Sequence, residues 1–248
     1  MTTLYKYRPY TVRSLEILID RAIYFAAPHQ LNDPYDCQLV IRDAVSGAVE
    51  QARREGNAAL ERHLAGATVL EEIYAKLQAD IQATGILALA KSPTCVLMWS
   101  HYAENHTGFA LGFQFSEKFT THRNTEQIIG AADAYYTDAN PFSAFLADFL
   151  PRATVADWNE FWTTMLEIGL RAKGAAWGYE HEVRILRKTP GTVSYDPSEL
   201  REVVFGLNMP DAQRMTVRKL LSTPDWRHVQ YRRIVRTDGF AVDVVPAP

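Results

Sequence analysis

The stretch that most limits what this chain can fold into is Trp99–Phe115, WSHYAENHTGFALGFQF. Its first half carries a Trp, a Tyr, two His, a Glu, an Asn and a Ser. Its second half turns at Gly108 and continues as an apolar run, Phe109 to Phe115, that reads as a buried strand. A solvated helix spreads its polar residues along one outward face. Here the imidazoles of His101 and His106 and the hydroxyls of Ser100 and Tyr102 sit directly against a segment that has to be buried, the pattern of a pocket wall.

A chain of 248 residues can bury a large core and lies at the upper end for one domain. The apolar fraction of 47% and charged fraction of 22% are those of an ordinary soluble protein. A net charge of −3 gives no broad cationic footprint for nucleic acid and leaves only a local groove open. Cys37 and Cys95 lie far apart with no C-x-x-C pair, which fits a reducing cytoplasm. The start, MTTLYKYRPY, lacks the apolar run of a signal peptide, and no later run reaches membrane length. The expectation is a cytoplasmic protein with no membrane partner.

LYKYRPY alternates and reads as a strand ended by Pro9. Ser14 is placed to cap a helix through SLEILIDRA, with Leu15, Leu18 and Ile19 on one face, and IYFAAP is a second strand. Asn32-Asp33-Pro34 signals a turn, because Asn and Asp bond their own backbone and Pro fixes φ. Residues 42–83 have helical spacing, with Leu60, Leu64, Val69, Leu70, Ile73, Leu77 and Ile81, and predict two helices broken near Gly66, an insert over the sheet. GILALAKS is a buried strand, Pro93-Thr94 begins a helix through CVLMWSHYA, and IIGAADAYY is another strand. Residues 141–174 are helical, with an aromatic stripe that includes Phe142, Phe145, Phe149, Trp158 and Phe161 and reads as core. VRIL, TVSYD, LREVVFG, WRHVQYRRIV and FAVDVVP are strands, with a helix from Asn208-Pro210 to about Leu221. This order predicts a single α+β domain over 1–248, with a mixed, largely antiparallel central sheet, flanking helices and a helical insert at about 42–83.

Four clusters could carry chemistry. Alternation puts Lys6 and Arg8 on one face of the first strand and Tyr5 and Tyr7 on the other, either an anion contact beside a stacking surface or a protected edge. Asn32, Asp33 and Asp36 fit turn chemistry better than a divalent site, which needs more oxygen ligands. His101 and His106 lack the i, i+4 spacing of a zinc-binding helix. A nucleophilic Ser100 would need a base, and its neighbour His101 points elsewhere on a helix, so this stretch suits hydrogen bonding to a polar ligand or a network tying a helix to the sheet. Finally, alternation aligns Glu180, Glu182 and Arg184 on one side of an apolar strand, where two carboxylates and a guanidinium suit general-base or cation-stabilising work, or an exposed ion pair.

YKY, NDPYD, MWSHYAENHTGF and WGYEHEVRIL, in this order and spacing, resemble a widespread prokaryotic family, domain of unknown function 2971, from about Leu4 to Gly206. More distantly, the early YKY strand and the late E-x-E strand resemble the motif order of ADP-ribosyltransferase folds. That resemblance implies an NAD cofactor, with Tyr5, Lys6 and Tyr7 as its first contact. Glu182 would polarise the nicotinamide ribose and Glu180 would orient the acceptor. No Ser-Thr-Ser motif is present, so the middle role falls to Ser92, Ser100, His101 or Tyr102, with His106 beside them. The implied protein is an NAD-dependent ADP-ribosyltransferase-like enzyme, a toxin or phage-defence effector that takes a nucleotide-type small molecule and modifies a macromolecular acceptor. In that scheme Lys6 and Arg8 supply the pocket's cations and Glu180 and Glu182 its carboxylates. The alternatives are a metal-dependent nuclease or phosphodiesterase using Asp33, Asp36, Glu180 and Glu182, and a non-catalytic ligand-sensing module closing on its ligand with His101, Tyr102 and His106.

Overall fold

The strands are β1 (Leu4–Arg8), β2 (Ala22–Phe25), β3 (Gly85–Ala90), β4 (Phe109–Phe113), β5 (Ile128–Asp133), β6 (Tyr135–Tyr136), β7 (Ala172–Lys173), β8 (Glu182–Arg187), β9 (Gly191–Ser194), β10 (Leu200–Phe205), β11 (Gln230–Arg236) and β12 (Val242–Pro246). The helices are α1 (Val12–Ile19), α2 (Ala67–Gln82), α3 (Val96–Tyr102), α4 (Glu117–Thr120), α5 (Ser143–Arg152), α6 (Trp158–Arg171) and α7 (Asp211–Leu220). This is a computed structural model, and it describes residues 2–38, 46–47, 50, 53–56, 67–120, 127–152 and 157–248. Of the expected insert, α2 is described, whereas the predicted break near Gly66 and the helix before it, with Leu60 and Leu64, lie outside the described residues. The chain divides into two compact units, one of Met1–Ala26, Gly85–Asp133 and Gly178–Pro248 and the other of Ala27–Thr84 and Ala134–Trp177.

The first unit holds an eight-stranded sheet in the order β12-β11-β10-β4-β1-β3-β8-β5. Only the β10–β11 pairing in it is parallel, so the α+β class with a mixed, mostly antiparallel sheet is what the sequence order predicts. Strand alternation gives the sheet two unlike faces. Leu87, Leu89, Phe109, Leu111, Phe113, Ile185, Val203 and Phe205 line the apolar face, and α1 and α7 contribute Ile17, Leu18 and Val217 to the same core. Each such side chain fully buried is worth about 1.5–3 kcal/mol. The other face carries Tyr5, Tyr7, Ala90, Ala110 and Val204, with Met98 and Trp99 of α3 packed among them. Small residues on β3 and β4 leave room there for the tyrosines between them. β2 leaves this sheet and pairs with β9.

Two local readings are corrected. Helix α1 is capped by Thr11, whose side chain accepts from the Ser14 amide; Ser14 lies inside the helix, buried. Its buried face is Ser14, Ile17 and Leu18, spaced i, i+3 and i+4, with Leu15 partly buried beside them and Ile19 exposed. Trp226 sits in a 3-10 turn, Pro224–Trp226, rather than in the following strand.

In the second unit α2 and α6 pack together, with Leu77, Ile81, Phe161 and Met165 buried, as expected of their helical spacing. Asp80 accepts from the Trp162 indole N–H at 3.0 Å, and Lys76 lies 4.8 Å from the centre of that ring. β6 and β7 form a short parallel pair. No described helix is long and apolar enough to cross a membrane.

Candidate functional site

Register decides which polar side chains of the first unit meet. Glu182 pairs with Ala90, Ala90 with Tyr5, Tyr5 with Gly112, and Gly112 with Glu202. Residues opposite one another in a ladder project to the same side. One row across five strands therefore carries Glu182, Tyr5 and Glu202, with small residues between. The next row carries Arg184, Tyr7 and Arg232. Glu182 and Arg184 are both buried, with Arg184 Nε donating to Glu182 Oε1 at 2.8 Å and a second guanidinium nitrogen to Oε2 at 3.3 Å. This forked contact cancels a buried charge, and the same-side reading of E-x-R is correct for this pair. The Tyr5 hydroxyl donates to Glu202 at 2.6 Å, and Arg232 lies 3.5 Å from the same carboxylate. Burial first, then the Glu202 contact, pushes the Tyr5 phenol above its ordinary range, so Tyr5 stays a donor.

Lys6 is not brought to this row. Because Tyr5 and Tyr7 face Glu182 and Arg184, alternation sends Lys6 and Arg8 to the opposite side. Lys6 Nζ donates to the Ala88 carbonyl at 2.8 Å, and Arg8 Nε to Ser14 at 3.2 Å. Arg184 and Arg232 are cations of this face instead. Glu180 departs from the strand pattern as well. It ends a 3-10 turn, Ala175–Glu180, and His181 has φ 43°, which breaks alternation before β8 begins. Glu180 is still buried and faces α3, where the Tyr102 hydroxyl donates to it at 2.5 Å. Beside this contact His101 Nδ1 and the Tyr179 hydroxyl are 2.8 Å apart. Two successive residues of α3 thus clasp two successive residues of the turn that launches β8.

The loop after α3 is wound tightly. Glu104, Asn105 and His106 have φ of 50°, 53° and 69°, three left-handed residues in a row. Each costs about 1 kcal/mol or more for a residue with a Cβ, so surrounding contacts must hold the loop. The His106 amide donates to Trp99 at 3.1 Å, Gly108 to Ala103 at 2.9 Å, and Asn208 to the His106 carbonyl at 2.9 Å. His106 then stacks on the buried Trp99 ring at 6.4 Å, and Trp99 meets Tyr7 edge-on at 5.0 Å. Tyr7 donates to the Ser92 carbonyl at 2.7 Å.

Ser100 Oγ lies 3.3 Å from His106 Nε2 and also donates to the Val96 carbonyl at 3.1 Å. The Val96 carbonyl competes with His106 Nε2 for the Ser100 proton, and the 3.3 Å contact is long for a base poised on a nucleophile. The buried Nδ1 of His106 has no hydrogen-bond partner among the described residues. Burial, reinforced by Arg236, holds this imidazole below its ordinary pKa. The unfolded chain therefore binds a proton that the folded one resists, and stability is complete above the ordinary imidazole pKa and falls as pH drops through the folded value. Melting temperature should decline as pH is lowered from about 7 to about 5, and His106→Gln should flatten that part of the profile. An unchanged slope in the variant would assign the decline to other groups.

Glu202 and Arg232 escaped sequence reading, as did the pairing of Tyr179 with His101. A lone Glu in the otherwise apolar LREVVF was the available signal for the first; the other two depend on non-local register. Among the described residues, no group of three or more His, Cys, Asp or Glu comes together to hold a metal ion.

Fold and site define an α+β protein whose sheet keeps one apolar face and one face of paired charges and tyrosines, clasped by the end of α3. Residues 98–185 match the family model described as Protein of unknown function (DUF2971), so this stretch is similar to that family. The match includes both halves of the clasp, from Trp99 to Arg184. No curated protein and no solved structure matches the chain.

Proposed function

We propose that the first unit uses NAD and transfers its ADP-ribosyl group, with Glu182 as the catalytic carboxylate. The observation that carries this reading is the Glu182–Arg184 pair, buried at the start of an interior strand, with Glu182 in one row with Tyr5. Breaking a nicotinamide–ribose bond builds positive charge on the ribose. A carboxylate fixed by a fork of hydrogen bonds offsets that charge without having to reorganise. Tyr5 and Tyr102 supply hydroxyls and ring faces suited to a nucleotide, and Glu180, already bonded to Tyr102, is the candidate for orienting an acceptor. Lys6 leaves the cofactor-binding set, since it lies on the other face. The metal-dependent alternative needs Asp33, Asp36, Glu180 and Glu182 to converge, and no such group forms among the described residues.

Incubating the full chain with NAD labelled in the adenylate half and with cell extract should move label into macromolecules. Glu182→Gln should reduce transfer by about a hundredfold or more, measured at equal folded fraction. NAD binding without turnover, unchanged by Glu182→Gln, would instead favour the ligand-sensing reading.

A further inference from the structure

In the second unit a closed turn holds a tyrosine out in water at the edge of a cavity. The Tyr35 amide donates to Asp33 Oδ1 at 2.9 Å and the Asp36 amide to the Asp33 carbonyl at 3.1 Å. The turn buries Asp36 and Cys37 and leaves Tyr35 82% exposed. Tyr35 lines a cavity of ≈ 330 Å³, and Asp138, Phe142, Gly169 and Ala172 are among its other walls. We infer that this cavity binds a small organic cation, an arylalkylamine. Asp138 and Tyr35 hold its ammonium at the mouth, and its ring lies on the apolar floor. The inference is independent of the NAD reading of the first unit.

The volume falls in the range of small-ligand pockets. Charge decides the class of ligand. Among the described residues the charged walls are Lys173 and Asp138. The Lys173 side chain is 4% exposed, with its ammonium 3.9 Å from the buried Asp36 carboxylate and 5.0 Å from the centre of the Trp177 ring. A carboxylate and a ring face already answer that charge. Asp138 differs. It is exposed, and one of its oxygens accepts from the Ala175 amide at 3.1 Å. Among the described residues no cation lies within ion-pair distance of it. The charge a ligand meets at the mouth is therefore negative, which favours a cation and repels an anion. The exposed Tyr35 ring offers its face to the same cation. Behind the mouth, Phe142 and Gly169 are buried and Ala172 is half-buried, a surface that suits a ring and not a second charge.

Calorimetric titration of the full chain with phenethylamine, 2-phenylethanol and n-butylamine tests this. Phenethylamine should bind. 2-Phenylethanol lacks the charge and n-butylamine lacks the ring, and each should bind at least about tenfold more weakly. Asp138→Asn keeps an oxygen for the Ala175 amide and removes the charge. It should weaken phenethylamine at least about tenfold and leave 2-phenylethanol unchanged. Tyr35→Ala should weaken phenethylamine about threefold. Both positions are exposed, so an unchanged melting temperature will mark each variant as folded. No binding of phenethylamine, equal binding of either analogue, or undiminished affinity in folded Asp138→Asn would each overturn the inference.

Discussion

Arg184→Met should lower the free energy of unfolding by about 3–5 kcal/mol, one of the largest single-residue losses in the first unit. The Arg184 side chain is 0% exposed and that of its partner Glu182 is 4% exposed. Removing the guanidinium leaves a buried carboxylate without its bidentate partner. The loss comes from that stranded charge rather than from the pair's own net worth. A second substitution, Glu182→Leu, should therefore restore most of the stability in the Arg184→Met background, because a buried pair and well-packed apolar residues of similar volume are nearly equivalent. Urea denaturation of both single variants and the double variant measures this. A double variant no more stable than Arg184→Met would mean that the guanidinium acts through packing and not through charge. The same coupling bears on function: a carboxylate that needs Arg184 to stay folded is also one whose position Arg184 fixes.

Gly206→Ala should cost about 3 kcal/mol, since overpacking against backbone cannot be relieved by a rotamer change. A Cβ at residue 206 would lie 2.2 Å from the His106 carbonyl oxygen and 2.8 Å from that of Gly108. Those atoms belong to the wound loop, and Gly206 donates to Gly108 at 2.9 Å while Asn208 donates to His106. The end of β10 thus clamps the loop through a contact that only glycine allows. Relief of the clash has to move residues 104–108, so hydrogen exchange at the His106 and Asn208 amides should accelerate in the variant. Gly130→Ala is the control: a Cβ there meets nothing within 4 Å, and stability should hold within about 0.5 kcal/mol.

Both predictions concern features that local pattern only partly reveals. Alternation correctly separated Tyr5 and Tyr7 from Lys6 and Arg8, because the side-chain period of a strand is fixed by its backbone. It could not say which pair would join Glu182. That depends on β1 lying beside β3 and β3 beside β8, a choice made over some 180 residues of sequence. Glu180 was assigned to the strand by extending the alternation through His181, whose left-handed backbone ends it. The Trp99–Phe115 stretch was legible as a wall of polar groups against a buried strand, and Tyr102 and His106 do lie there. What pairs them was not: Ser100 meets His106 across six positions because three left-handed residues turn the chain back on itself. The stripe of α2 and α6 and the turn at Asn32-Asp33-Pro34 were readable because their causes are local, helical period and side-chain-to-backbone bonding; the Tyr35 amide donates to Asp33 at 2.9 Å. Glu202 was missed because a single Glu in an apolar strand looks like a solvent-facing residue until a partner such as Tyr5 is known.

The central claim is that Glu182 acts on the nicotinamide–ribose bond of NAD. Release of free nicotinamide from NAD by the full chain, with cell extract as a source of acceptor, tests it most directly, alongside Glu182→Gln and Glu182→Asp at matched folded fraction. The expected result is release by the wild-type chain, a loss of about a hundredfold or more in Glu182→Gln, and a partial loss in Glu182→Asp, which keeps the charge but shortens its reach. No release by the wild-type chain, or an undiminished rate in folded Glu182→Gln, would contradict it.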